Sequence, residues 1–335
     1  MNEPPIDIPV REPSATSADD TVLPFEVGAL DMRGRVVRLG PSVNEILSGH
    51  NYPEPVAKLL GEAVVLTTML GSAIKESRLI LQTQTDGPVR MLVIDYRHPG
   101  AIRGCARFDA ARVKAAIDAG RVSEGALLGR GHLAMTIDHG PDRNRYQGLV
   151  AVQGGTLEDA AHEYFKSSEQ IPTRVKLVVA EEYSAGAGRR WRAGGILAQF
   201  LPKATHRAHT DLHPGDAPKG MVVPEVKEDD AWVEGRSLVD TVEDIELIDP
   251  ALSSERLLYR LFHERGVRVF RSKDLHAECS CSRAGVERML RSFPQDDRDH
   301  MVENGKITVT CEFCNSTYVF EPMDVREPEP SPGAP

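Results

Sequence analysis

Between positions 54 and 77, Val56, Leu59, Leu60, Ala63, Val64, Met69, Leu70, Ala73 and Ile74 recur near helical spacing, which predicts an amphipathic helix. Apolar, β-branched segments follow at 79–84, 89–96 and 102–108, with Asp86-Gly87-Pro88 as a turn between the first two. A further pair, 133–138 and 145–152, flanks the turn candidate His139-Gly140-Pro141-Asp142. Thr156 caps a helix running to about Ser168, with Glu158 and Asp159 in its first turn. Strands at 174–180 and 192–201 complete the region. Strands joined by short turns pair antiparallel and helices pack on them, so the fold class expected for 25–202 is α+β.

Either side of this domain the pattern weakens. Residues 1–24 hold Pro4, Pro5, Pro9, Pro13 and Pro24 with few large apolar residues, and read as a disordered extension. Residues 203–220 gather histidine, glycine and proline as a linker does. In 221–250, ten acids stand against Lys227 and Arg236, a balance of −8 within a chain of net charge −10. Ser253 or Ser254 can then cap a helix whose Leu257, Leu258, Leu261 and Phe262 form one face, stopping at Gly266. Segment 203–272 is therefore a linker and a helical connector. Like charges make its folded form marginal and dependent on a neighbour. A small domain at 273–322 and a disordered tail at 323–335 follow.

Length and composition fit two soluble domains: 335 residues, 41% hydrophobic and 27% charged. The acidic balance and an aromatic content of 5% speak against nucleic acid as a partner. No run approaches 18 apolar residues, and 1–24 lacks the basic start and apolar core of a signal peptide, so no membrane partner and a cytoplasmic location are expected.

The chemistry concentrates in the cysteines. Cys105 stands alone, whereas Cys279-Ser280-Cys281 is followed after 29 residues (282–310) by Cys311-Glu312-Phe313-Cys314. Four thiolates in two close pairs match a closed tetrahedral zinc site, and soft sulfur favours zinc over hard cations. Val286, Met289, Leu290 and Phe293 form a helical stripe between the pairs, and strand-like 306–310 and 316–320 put the second pair on a hairpin knuckle. So small a fragment takes its folding energy from the metal. A static zinc staple is the plain alternative. Cys-x-Cys argues for a switch, because its disulfide closes a tight, strained and readily reduced ring.

At these residues the sequence resembles the redox-regulated 33-kilodalton heat-shock chaperonin family. The resemblance extends to Gln82-Thr83-Gln84-Thr85-Asp86-Gly87-Pro88, Tyr146-Gln147-Gly148, the Tyr164 to Thr173 stretch containing Glu169-Gln170-Ile171-Pro172-Thr173, Ala193-Gly194-Gly195-Ile196-Leu197, and Leu257 to Glu264. It implies a cytoplasmic, ATP-independent holdase rather than an enzyme, with 25–202 as the client-binding core. Cys279, Cys281, Cys311 and Cys314 would bind one zinc ion when reduced. Oxidation would form the disulfides Cys279–Cys281 and Cys311–Cys314, release zinc and unfold the connector. The partners implied are unfolded client proteins and, in the oxidised form, a second copy in a homodimer. The extension at 1–24 and the acidic insertion at 203–235 depart from the family pattern.

Other motifs carry less. Cys105 reads as a small buried hydrophobe. His206, His209 and His213 read as a solvated loop, and Gly186-Ala187-Gly188-Arg189-Arg190 as a turn without the ending of a phosphate loop. Arg189, Arg190 and Arg192 around Trp191 read as edge-strand charges that oppose aggregation. Two rival functions remain, a zinc-ribbon nucleic-acid or transcription module and a thiol oxidoreductase using Cys311 and Cys314.

Overall fold

A computed structural model describes residues 19–75, 77–140, 145–184, 188–201 and 228–325. The core domain runs β1 (Thr21–Val27), β2 (Met32–Leu39), α1 (Pro41–Ser48), α2 (Glu54–Gly71), β3 (Arg78–Thr85), β4 (Val89–Arg97), β5 (Ala101–Phe108), α3 (Ala110–Asp118), α4 (Glu124–Leu128), β6 (Arg130–Asp138), β7 (Tyr146–Gln153), α5 (Leu157–Tyr164), β8 (Thr173–Ser184) and β9 (Gly188–Phe200). Downstream lie α6 (Asp230–Asp240), α7 (Asp244–Ile248), α8 (Ser254–Phe262), the short strands β10 (Arg268–Val269), β11 (Lys273–Asp274) and β12 (His276–Ala277), then α9 (Arg283–Arg291), α10 (Gln295–His300), β13 (Ile307–Thr310) and β14 (Thr317–Phe320).

The α+β expectation holds. One sheet has the order β10-β1-β2-β9-β8, with β11 also on β1, and a second has the order β12-β5-β4-β3-β6-β7. Pairing is antiparallel throughout except where β12 runs parallel to β5. Between the sheets lies α2, and this changes its reading. Leu59, Leu60, Val64, Val65 and Leu66 are all buried, so the helix is apolar nearly all round rather than amphipathic. It stops at Gly71, six residues before the expected end, where a Cβ would sit 2.4 Å from the Tyr96 ring. Thr156 caps α5 as expected, in a reciprocal capping box with Asp159.

Two other expectations fail. Sheet structure begins at Thr21, so residues 21–24 are not part of a disordered extension. Pro24, one of the prolines that mark the expected extension, fits β1 because its carbonyl faces the sheet edge and accepts from Phe270 N–H. Of the arginines around Trp191, Arg189 and Arg190 are exposed where β9 runs past the end of β2 and pairs with β8 alone, but Arg192 departs from the edge reading. Arg192 is buried, pairing with Asp19 at 2.5 Å and donating to the Ile248 carbonyl at 2.7 Å.

Three apolar clusters result. The largest surrounds α2. In the second, Phe25, Met32, Val36, Ile196 and Phe200 of the first sheet pack against Trp232, Val239, Leu247, Leu257, Leu258 and Phe262 of the connector helices. The third, in the C-terminal lobe, has Leu290, Ile307, Phe320 and Val325 as its buried members. The acidic connector rests on cations of the core: Asp240 pairs with Arg174 at 2.5 Å and Asp244 with Lys176 at 3.3 Å. Arg38, almost fully buried, donates to the carbonyls of Glu246 and Asp249 and to Ser254 Oγ.

Candidate metal centre

The first cysteine pair is placed by main-chain pairing. After α8 the chain runs back along both sheet edges. Phe270 N–H donates to Pro24, Leu275 to Asp20, His276 to Gly100 and Glu278 to Ile102, at 2.8–3.0 Å. Gly100 permits this crossing, because a Cβ there would lie 2.1 Å from the Asp274 carbonyl oxygen. Cys279 follows β12 by two residues. The second pair sits where β13 turns into β14. Cys311 N–H donates to the Ser316 carbonyl at 2.9 Å and Asn315 N–H to the Cys311 carbonyl at 2.8 Å. Asn315 takes the left-handed φ of 58° that the turn requires. The expected hairpin knuckle is present, so Cys311 and Cys314 are carried by a turn between two strands and not, as in a thiol oxidoreductase, by the first turn of a helix.

The four Sγ atoms lie within 4.8 Å of one another. Cys279 and Cys311 approach to 3.7 Å, Cys281 and Cys314 to 3.3 Å. A tetrahedral site with Zn–S bonds of about 2.3 Å needs sulfurs about 3.8 Å apart, so four sulfurs so placed fit a thiolate-bound metal ion. Taken as thiols, they titrate apart. Burial, reinforced by hydrogen bonds with the other cysteines and opposed by Tyr318, pushes Cys281 up to about 12. Burial also raises Cys311. It acts against Cys314 too, but hydrogen bonds from the Ser316 side chain and backbone and from Cys281 bring that thiol down to about 6. Tyr318 Oη donates to Cys281 Sγ at 3.1 Å.

The core domain reaches into this centre through residues that sequence reasoning missed. Arg103 Nη1 lies 3.9 Å from Cys279 Sγ and 2.9 Å from Ser280 Oγ, and its guanidinium stacks 4.2 Å from the centre of the Phe313 ring. Arg97 donates to Ser280 Oγ at 2.7 Å, Arg107 pairs with Glu312, and His50 Nε2 is 3.3 Å from the Phe313 carbonyl. The only signal was the alternation Arg103-x-Cys105-x-Arg107 in a predicted strand. Cys105 is buried as expected, and burial pushes its thiol up to about 11. His206, His209, His213, Gly186 and Ala187 lie outside the described residues, as do 1–18, 203–227 and 326–335. No described helix is long and apolar enough to cross a membrane.

Comparison with known proteins agrees with this geometry. A profile of the family described as Hsp33 protein matches residues 20–321. The 33 kDa chaperonin of Caulobacter vibrioides is 45% identical over 314 residues, covering 92% of this chain and 97% of that one. That of Pseudomonas aeruginosa is 37% identical over 300 residues, covering 89% and 90%. The crystal structure of the 33 kDa chaperonin of Thermotoga maritima shares the fold, with a TM-score of 0.70 at 19% identity over 91% of this chain and 96% of that one. With its family profile matched from end to end of the folded region and four thiols gathered at one point, the chain belongs to the Hsp33 family of chaperones.

Proposed function

We propose that this chain is an oxidation-activated, ATP-independent holdase of the cytoplasm that binds unfolding proteins and keeps them from aggregating. The observation that supports it most is the convergence of four thiols at the end of the strand segment that ties the connector to both sheets. In the reduced state Cys279, Cys281, Cys311 and Cys314 hold one zinc ion per chain. Bound by four thiolates, zinc supplies cross-linking and no redox chemistry of its own. The C-terminal lobe needs that cross-link, because its buried apolar cluster is far too small to hold the fold.

Oxidation to Cys279–Cys281 and Cys311–Cys314 removes all four ligands. The lobe then loses its fold, the Cys279–Cys281 bridge strains the end of the segment from 268 to 278 until it leaves the sheet edges, and α6 to α8 lift from the first sheet. The face so uncovered carries Phe25, Met32, Val36, Ile196 and Phe200, an apolar surface suited to unfolded chains. The active form is a homodimer. The test is light scattering from a heat-unfolding client. Suppression only by peroxide-treated protein, reversed by a thiol reductant, supports the switch. Equal behaviour in both states leaves a static metal staple.

A further inference from the structure

The outer face of the second sheet gathers more guanidinium groups around Asp95 than that carboxylate balances. Asp95, buried, is surrounded by Arg78 at 2.5 Å, Arg103 at 2.8 Å and Arg97 at 3.6 Å. Three guanidinium groups around one carboxylate leave a local charge of about +2. Arg97 and Arg103 both turn to the first cysteine knuckle, at Ser280 Oγ and Cys279 Sγ. Arg107, two positions along the same face, pairs with Glu312 in the second knuckle. Four thiolates around a divalent cation carry about −2, so the two charges are complementary across this contact.

We propose that Arg97, Arg103 and Arg107 are positioning residues that latch the C-terminal lobe to the core and hold it only while the sulfurs carry negative charge. This rests on the redox reading above and adds the residues through which the core senses the state of the cysteines. The oxidation balances simply. Each pair of thiolates gives two electrons to hydrogen peroxide, two protons are consumed, and a disulfide and two waters result. Two bridges take the sulfurs from four negative charges to none, and the divalent ion leaves. The guanidinium groups then face neutral sulfur and repel one another across Asp95, while the Phe313 stack and the Glu312 pair are lost as the knuckle opens.

Cys105 gives a built-in reporter of docking. It lies between Arg103 and Arg107 on the same face of β5, is 4% exposed, and lines a cavity of about 270 Å³ with Cys311, Glu312 and Asn315 of the lobe. Undocking uncovers it. The experiment measures the alkylation rate of Cys105 by peptide mass spectrometry in the reduced, zinc-loaded full-length protein, with zinc stoichiometry measured alongside. Arg103→Gln combined with Arg107→Gln is expected to raise that rate at least tenfold with zinc still bound one to one. Arg103→Lys, which keeps the charge but loses the fork and the stack, is expected to fall between. Arg107→Glu should raise the rate on its own, and adding Glu312→Arg should restore protection, a rescue that damage to the fold would not give. Unchanged protection in the double glutamine variant, or no rescue by the charge exchange, overturns the latch. Wild-type protein that loses zinc and becomes a holdase on oxidation while Cys105 stays covered also overturns the latch but leaves the redox reading standing. If oxidation causes neither zinc loss nor holdase activity, the redox reading itself fails, whatever the variants show.

Discussion

At the scale of single residues, two side chains carry more than their place in the sequence suggests. Glu62 lies on the central helix with one carboxyl oxygen, Oε2, that meets no hydrogen-bond donor. Burial and the facing carboxylates of Glu124 and Glu158 push it up to about 9. Those neighbours are tied down, Glu124 accepting from Leu157 N–H and Glu158 from Leu177 N–H. Glu62 is therefore protonated in the fold at neutral pH. An acid that holds its proton more tightly folded than unfolded stabilises the fold fully below its unfolded value near 4.5 and loses that contribution as pH rises toward 9. The slope is up to about 1.4 kcal/mol per pH unit. Glu62→Gln should flatten the decline of melting temperature across that range and be the more stable form at its alkaline end. An unchanged slope would place the titration elsewhere. Tyr318 acts on the metal centre by donating to Cys281 Sγ. Tyr318→Phe should weaken zinc binding by about tenfold in competition with a chromogenic chelator, since loss of a group that orients a ligand costs that order of affinity.

At the scale of elements, the connector decides the mechanism. The nine-residue α8 is too short to persist alone, and its Leu257, Leu258, Leu261 and Phe262 gain roughly 1.5–3 kcal/mol each from burial on the first sheet. Arg38 fixes α7 and α8 through two carbonyls and one hydroxyl. Arg38→Met deprives the Glu246 carbonyl and Ser254 Oγ of that donor, at about 1–3 kcal/mol each, while the Asp249 carbonyl keeps Leu252 N–H. Hydrogen exchange of 244–262 should then rise at least tenfold while 56–66 stays protected, and the reduced protein should show partial holdase activity. Exchange that rises equally in both segments would mean general destabilisation. The amphipathic stripe of α8 and its Ser253 cap were readable from local pattern, as were the alternating strands β3 to β9 and the hairpin knuckle. β1 was not, because Pro24 reads as the last proline of an extension until the edge it faces is known. The central helix was misjudged for a related reason, since periodicity counts apolar positions but does not reveal that sheets lie on two sides. The four cysteines were legible from spacing, whereas Arg97, Arg103 and Arg107 became meaningful only through the pairing of β4 and β5.

At the scale of the whole molecule, three apolar clusters of unequal size are threaded by one chain, and the order in which they fail can be argued. The large cluster around α2 owes nothing to the cysteines. The lobe has only Leu290, Ile307, Phe320 and Val325 as buried members of its apolar cluster, and on the proposed reading it depends on a bound metal. The connector stands between, since Trp232, Val239, Leu247 and Phe262 are buried by the core whether or not the lobe is folded. Chelation under reducing conditions should therefore make 279–325 exchange freely while α6 to α8 keep their protection to within about threefold, because the main-chain bonds from Phe270 to Glu278 survive. Oxidation is different. A bridge between Cys279 and Cys281 closes a ring over one residue and strains the backbone just beyond β12, where those bonds end. Connector protection should then fall by about a hundredfold or more, with the core still protected. Measured by hydrogen exchange on the three samples, that pattern assigns the trigger to the sulfur bridge. Loss of connector protection on chelation alone would assign it to the metal and make the bridges a means of preventing its return.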